Sequence, residues 1–230
     1  MKLTWLGHSG FRLETGDLVI LIDPWLSGNP MLPDNQHAAA VHGATHILLT
    51  HAHFDHMSDT LRLARENGIP VIGQFDLMNL WSETEKIETI GFNKGGTITL
   101  DGIRISMVTA QHSSTIQDET GLRPAGSEVG YMIAAEGQMI YVSGDTDIMA
   151  DMEWFADYYK PDIGILCAGG HFTMDMDKVA YIARRWFNFR TIIPCHYRTF
   201  PVLEQSAAEL VKSLPGIAVI EPDVMRPIPL

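Results

Sequence analysis

The stretch that decides the fold is Thr50-His51-Ala52-His53-Phe54-Asp55-His56, which directly follows the apolar run 47–49. Three imidazoles and one carboxylate fall within its last six residues. If the chain leaves a strand here as a loop, His51 and His53 converge on one cation while Asp55 and His56 turn toward a second. Nitrogen and oxygen donors of this kind are what a borderline divalent metal such as zinc prefers. The stretch therefore predicts a metal site with room for two ions.

Three more donors follow apolar runs elsewhere in the chain. Residues 105–110 lead to His112, residues 139–142 lead to Asp145, and residues 191–195 lead to His196. Taken singly, such a histidine is more often a hydrogen-bonded structural residue, and Asp145 a turn residue. Four separate strand ends that offer His or Asp, however, predict a site assembled at a sheet edge from distant segments.

The rest of the chain carries short apolar runs rich in β-branched residues, which predict strands. These runs are 18–22, 47–50, 70–72, 103–108, 131–134, 139–142, 163–167 and 191–195. Residues 3–14 are expected to form the first arm of a hairpin that turns at Gly16 and Asp17. Helices are predicted at 59–67, 149–158, 178–187 and 204–213, with starts near polar residues and a stop at Gly68.

Strand clusters flanked by helices predict an α/β (α+β) protein in which two mixed β-sheets pack face to face, with helices on both outer faces. No linker, low-complexity tract or repeat of solenoid length divides the sequence, so residues 1–230 are expected to form a single domain. The stretches 24–38 and 112–127 lack periodicity and are expected to be functional loops that wall a pocket.

The composition narrows the choice of partners and compartment. The net charge of −12 and the lack of a Lys/Arg cluster argue against nucleic acid and anionic membranes, and favour a small-molecule substrate. The two cysteines lie in apolar runs without a disulfide framework, and no apolar leader or membrane-spanning stretch is visible, so we expect a cytoplasmic protein. The apolar helix face at residues 149–155 is expected to be exposed and to serve as an interface in a homo-oligomer.

The segment 51–56, followed by His112, Asp145 and His196, resembles the metallo-β-lactamase superfamily in order and approximate spacing. Further segments are similar to hallmarks of a subgroup of metal-dependent hydrolases of about this length, the UPF0173-like proteins. They are Gly7-His8-Ser9-Gly10-Phe11, Asp23-Pro24 with Gly28-Asn29-Pro30, Gly169-Gly170-His171-Phe172-Thr173-Met174 and Pro194-Cys195-His196-Tyr197. The resemblance covers nearly the whole chain and implies an αββα sandwich with metals at one end, between the sheets.

The resemblance also implies a role for each donor. His51, His53 and His112 would hold the first metal. Asp55, His56 and His196 would hold the second, and Asp145 would bridge the two ions. Asp23 would brace the metal loop through hydrogen bonds rather than bind a metal. An aspartate at the bridging position, in place of a cysteine, favours ester, lactone, thioester or phosphodiester substrates over β-lactams.

These roles lead to a mechanistic hypothesis. Two divalent ions, with Zn²⁺ favoured and Mn²⁺, Fe²⁺ or Ni²⁺ as alternatives, would share a water and present it as hydroxide to the substrate. Asp55 would orient that water or move its proton. His8 and His171 lie in glycine-flanked segments that allow a close approach to the site, and each is a candidate substrate contact or proton donor. The alternative, that these two histidines are packing residues, stays open.

Two other functions remain as alternatives. One is a phosphodiesterase or nuclease, because the superfamily uses the same ligands for that chemistry, although the acidic charge disfavours a polynucleotide. The other is a non-catalytic sensor of a metal or metabolite that retains the fold. Seven intact ligands favour the enzyme.

Overall fold

The computed structural model describes residues 1–118, 121–228 and 230. The strands in these ranges are β1 (Lys2–Gly7), β2 (Gly10–Thr15), β3 (Leu18–Ile22), β4 (His46–Leu48), β5 (Val71–Gln74), β6 (Thr89–Phe92), β7 (Thr97–Leu100), β8 (Ile103–Thr109), β9 (Thr115–Asp118), β10 (Gly121–Pro124), β11 (Val129–Ala135), β12 (Gln138–Val142), β13 (Ile163–Cys167), β14 (Thr191–Cys195), β15 (Ala218–Val219) and β16 (Pro227–Ile228). The helices are α1 (His37–Val41), α2 (Phe54–Met57), α3 (Thr60–Asn67), α4 (Phe75–Thr84), α5 (Asp151–Tyr159), α6 (Met176–Arg185) and α7 (Ala208–Ser213).

Most of the strands form two mixed sheets. The strand order is β16-β1-β2-β3-β4-β5-β6 in the first sheet and β15-β14-β13-β12-β11-β8-β7 in the second. In the first sheet the neighbours from β3 to β6 run parallel, and in the second those from β12 to β15 do so. The remaining neighbours in each sheet are antiparallel. A separate hairpin pairs β9 with β10.

The two sheets share one core because side chains alternate along each strand. Ile20 of β3 packs in the same apolar cluster as Ile133 of β11. Its neighbour Leu21 faces the other way and packs with Leu63 of α3 and Trp81 of α4. The first sheet is therefore covered by the second sheet on one face and by helices on the other. The predicted α/β class and αββα sandwich are confirmed.

Helices α5, α6 and α7 supply apolar side chains to the cluster that contains the second sheet. Met149, Met152 and Phe155 are buried in it, so the prediction of an exposed apolar face at residues 149–155 is wrong. The exposed aromatic side chains on this helix are those of Trp154 and Tyr158. That the chain forms a homo-oligomer stays a prediction, but the apolar side chains of residues 149–155 do not supply its interface.

The first predicted hairpin arm is also wrong, because residues 3–14 form two strands. The chain reverses between β1 and β2 at Gly7 and His8, where φ is 90° and 52°, and the two strands pair antiparallel. A glycine accepts such a backbone angle without strain, whereas a histidine does not. The turn therefore places His8 in a conformation that the surrounding structure must hold.

Helix α4 was not predicted. It begins directly after β5, and its first amides are capped by the side chain of Gln74, which accepts from the amides of Asp76 and Leu77. Glutamine is not among the residues that usually cap a helix, so the start carried no recognised signal. The end of α3 at Gly68 is confirmed, with φ of 62°.

The stretch 112–127 is not aperiodic, because it contains the hairpin of β9 and β10. Residues 119 and 120 of this stretch lie outside the described residues. Cys167 and Cys195 lie buried and unbridged in β13 and β14, as expected. Among the helices described, none combines the length and hydrophobicity needed to cross a membrane.

Candidate metal centre

The first cluster of donors combines His51, His53 and His112. His51 and His53 follow β4, and His112 follows β8, so strands of both sheets contribute. One ring nitrogen from each lies within 4.8 Å of the others. The Nε2 atom of His51 is 3.0 Å from Nδ1 of His53. The structure thus brings together the three histidines predicted for the first metal.

The second cluster combines Asp55 and His56 of α2 with His196, which follows β14, and with His8. The Oδ2 atom of Asp55 is 2.9 Å from Nε2 of His8 and 3.5 Å from Nε2 of His196. The three residues predicted for the second metal are therefore neighbours. His8, which the sequence suggested as a substrate contact or proton donor and not as a ligand, also lies in this cluster.

Asp145 lies between the two clusters. It follows β12, and its side chain is 3% exposed. From its Oδ2 atom, the distances to Nε2 atoms are 3.0 Å for His196, 3.4 Å for His56, 3.6 Å for His112 and 3.9 Å for His51. One carboxylate oxygen thus contacts histidines of both clusters, which is the placement expected of a bridge.

A hydrogen-bond network behind the clusters orients two of the rings. Asp23 accepts the Thr50 amide at Oδ1 (2.8 Å), and at Oδ2 it accepts the Thr50 hydroxyl (2.6 Å) and Nδ1 of His56 (2.8 Å). Because the Thr50 hydroxyl donates to Asp23, its oxygen accepts from Nδ1 of His51 at 3.0 Å. Both rings therefore keep their Nδ1 proton and present Nε2 to the cluster, as metal-ligating histidines do.

The donors fit divalent cations. Nε2 of His56 and Oδ1 of Asp145 are buried without a hydrogen-bond partner among the residues described. Burial holds the pKa of His51 well below its ordinary value, so this imidazole is neutral and offers a lone pair. Burial raises the pKa of Asp145, but His196 and His56 outweigh it and hold the carboxyl ionised. Buried polar atoms seldom lack partners, and a cation would satisfy these.

The pKa of His56 is shifted in the opposite direction to that of His51. Burial lowers the pKa of His56, but the carboxylates of Asp145 and Asp23 outweigh it, and the pKa is raised well above the ordinary value. A cation at Nε2 would therefore replace a proton.

His8 is fully buried, and it contacts Asp55 rather than the solvent. Burial and the nearby His196 lower the pKa of His8 to about 4. The neutral ring donates from Nε2 to Asp55, and Nδ1 accepts the Thr199 hydroxyl at 2.7 Å. His8, Asp23 and His196 all have a positive φ, at 52°, 44° and 57°. Strained backbone of this kind concentrates at functional sites.

His171 lies apart from the clusters. Its side chain is exposed and packs edge to face on Phe172, with ring centroids 4.6 Å apart. The close approach that its glycine-flanked segment suggested occurs at Gly169, where a Cβ atom would lie 2.0 Å from the carbonyl oxygen of His196. The absence of a side chain at Gly169 thus allows the backbone of His196 to lie close to it. A catalytic role of His171 stays a prediction.

A cleft of about 580 Å³ opens over the donors. Four of its wall residues, His53, Asp55, His112 and His196, belong to the clusters, and a fifth is Asp145, which lies between them. The others are Phe54, Ser113, Thr115, Gln117, Leu122, Phe172, Phe200, Pro201 and Val202. A larger surface groove, of about 910 Å³, lies at α5 and contains none of the candidate ligands.

Sequence reasoning missed several residues that support the site. Asp59 accepts the amides of Leu26 and Ser27 at 2.6 and 2.7 Å, and so ties the segment after Asp23 to the start of α3. Thr199, which holds His8, carried no recognisable signal. Asp59 follows His56 by three residues, a spacing that could have drawn attention to it.

Two mixed sheets with a His/Asp centre at their strand ends define the metallo-β-lactamase class of fold. Residues 2–196 match the family model described as the β-lactamase superfamily domain. UPF0173 metal-dependent hydrolases from Ruegeria pomeroyi and another Ruegeria strain are 68% and 66% identical, over 99% and 100% of both chains. The structure of Igni18, a metallo hydrolase from Ignicoccus hospitalis, superposes with a TM-score of 0.84 at 28% identity, covering 100% of this chain and 98% of the other. The chain belongs to the β-lactamase superfamily and, within it, to the UPF0173 metal-dependent hydrolases.

Proposed function

We propose that the chain is a dinuclear metal-dependent hydrolase that acts on a small ester, lactone, thioester or phosphodiester. The observation that carries the proposal is the position of Asp145, whose Oδ2 atom lies 3.0 Å from His196 of the second cluster and 3.6 Å from His112 of the first. An aspartate with a purely structural role would not be expected to contact histidines of two separate donor clusters. The relatives' name as metal-dependent hydrolases agrees with this assignment.

In this proposal His51, His53 and His112 would hold one ion, Asp55, His56 and His196 would hold the other, and Asp145 would serve both. When bound, the ions supply the Lewis acidity that lowers the pKa of water toward neutrality and polarises the electrophilic oxygen of the substrate. Zinc suits this mixture of imidazole and carboxylate, with Mn²⁺, Fe²⁺ and Ni²⁺ as alternatives.

The chain's own residues position the reaction. Burial raises the pKa of Asp55, but His196 and His8 outweigh it and keep the carboxyl ionised. His8 fixes this carboxylate at the cleft wall, where it can accept a hydrogen bond from the attacking water and orient it. Water adds to the carbonyl or phosphoryl centre, the bond to the leaving oxygen or sulfur breaks, and the leaving group takes the proton.

No lysine or arginine belongs to the part of the cleft wall that the structure describes. Nothing there favours a polynucleotide, so the nuclease alternative gains no support, and we keep a small-molecule substrate as the proposed partner. A cytoplasmic location is likewise a proposal.

The test is turnover of the zinc-reconstituted chain on panels of lactones, thioesters and phosphodiesters, compared with His53→Ala. We expect hydrolysis by the parent chain, and a loss of at least about a hundredfold in kcat/KM together with loss of metal in the variant. His42→Ala is the matched control, because His42 is exposed and outside both clusters. Full metal content without turnover on any panel would favour the sensor alternative.

A further inference from the structure

Exposed apolar side chains are concentrated at the mouth of the cleft. The side chains of Leu122, Val202, Phe54 and Phe172 are 71%, 59%, 57% and 55% exposed, and all four belong to its wall. They come from four separate segments: β10, the segment after β14, α2 and the segment after β13. Apolar surface gathered in this way from distant segments marks a binding surface rather than chance exposure.

The apolar wall continues inward toward the metal centre. Phe200 and Pro201 line the cleft beside Val202. Phe200 also stacks on Trp25, with ring centroids 5.9 Å apart, so this side of the wall is backed by packed aromatic rings. A ligand that reaches the donors must pass along this surface.

Other residues of the wall are polar but uncharged. Ser113, Thr115 and Gln117 lie beside the ligand His112, on and before β9. Away from the donors of the metal centre, no charged side chain belongs to the described wall. A substrate with an anionic tail would find no cation there, whereas neutral polar groups could find hydrogen-bond partners.

We infer that the substrate is an uncharged molecule with an apolar chain or ring of several carbons on the acyl side of the bond that is cut. The inference rests on the proposed hydrolase function and specifies its substrate class. The apolar group lies along Leu122, Phe172 and Val202, and the reacting carbonyl lies over the donors. A substrate that is anionic away from the reacting group is disfavoured.

The test uses the full zinc-loaded chain and neutral N-acetylcysteamine thioesters with acetyl, butanoyl, hexanoyl and octanoyl groups, plus a succinyl thioester as the anionic case. Release of the thiol gives kcat/KM. We expect kcat/KM to rise roughly fourfold per added methylene up to hexanoyl, since each buried methylene contributes about that factor. The succinyl thioester should be a poorer substrate than the butanoyl thioester.

The variant that reports on the wall is Val202→Ser, and its matched control is Val211→Ser, an exposed valine on α7 that is outside the cleft. Val202→Ser should flatten the dependence on chain length, and Val211→Ser should not. Turnover that is indifferent to chain length, or faster for the succinyl thioester, overturns the inference. The same holds if Val202→Ser changes only the oligomeric state, because the wall would then be a contact between copies.

A binding measurement separates this inference from the hydrolase function. Octanohydroxamate should bind the zinc-loaded chain more tightly than acetohydroxamate, and Val202→Ser should reduce that difference. If no substrate of any panel is hydrolysed but the difference persists, the hydrolase proposal fails while the apolar site stands. If thioesters are hydrolysed but the two hydroxamates bind equally, the apolar site fails.

Discussion

Asp23 holds His56 from behind: its Oδ2 atom lies 2.8 Å from Nδ1 of the ring. The same carboxylate accepts both the amide and the hydroxyl of Thr50, and through that hydroxyl it orients His51. One buried aspartate thus fixes a ring in each of the two donor clusters.

Replacing Asp23 with Asn keeps the size of the side chain but leaves one acceptor oxygen for three donors. We expect Asp23→Asn to weaken zinc binding by about 10–100-fold, the usual effect of losing a partner that orients a ligand. Competition with a chelator measures the affinity. Asp157→Asn is the control, since Asp157 is exposed on α5. An unchanged affinity in Asp23→Asn would show that the rings are oriented by other contacts.

Gly169 is expected to be intolerant of any side chain. A Cβ atom at this position would lie 2.0 Å from the carbonyl oxygen of His196, so the backbone of that ligand must move. Gly169→Ala should lower the free energy of unfolding by about 3 kcal/mol or more and weaken metal binding as well. At Gly216 a Cβ atom would meet nothing within 4 Å, which makes Gly216→Ala the control in urea unfolding. Equal midpoints for the two variants would contradict the close approach.

Asp59 gives a prediction for the effect of pH on stability. Burial raises its pKa, but Arg62 and the amides of Ser27 and Leu26 outweigh it, so the folded-state pKa lies below the ordinary value. The carboxylate therefore stabilises the fold above the unfolded pKa of about 3.9, and this contribution is lost as the pH falls through the folded pKa. Asp59→Asn should cost about 1–3 kcal/mol at pH 7.

The difference between the parent chain and Asp59→Asn should shrink below about pH 4. Unfolding by urea at a series of pH values measures it, with Asp157→Asn again as the control. A difference that stays constant down to pH 3 would mean that the ionised carboxylate is not what stabilises this segment.

The donors could be predicted from the sequence because each one follows an apolar run. His112, Asp145 and His196 are far apart in the chain, yet β8, β12 and β14 belong to one sheet and deliver them to the same edge. The local hydrophobic pattern is enough to predict where a strand ends. The order of the strands in the sheet then brings these ends together.

The parts that could not be predicted depend on contacts between distant residues. Nothing local to His8 shows that Thr199 holds its ring, and nothing local to Thr50 shows that its hydroxyl links Asp23 to His51. The cleft wall was missed for another reason. In the sequence, exposed residues such as Leu122 and Val202 look the same as core residues, and only the packing shows that they face the cleft.

The most direct test of the two-metal centre is the zinc content per chain after saturation and desalting, measured by inductively coupled plasma mass spectrometry on the parent chain and on Asp145→Ala. The position of Asp145 between the clusters predicts two zinc ions per parent chain and at most one in the variant. One ion or none in the parent chain, or two in both proteins, would contradict a centre bridged by Asp145.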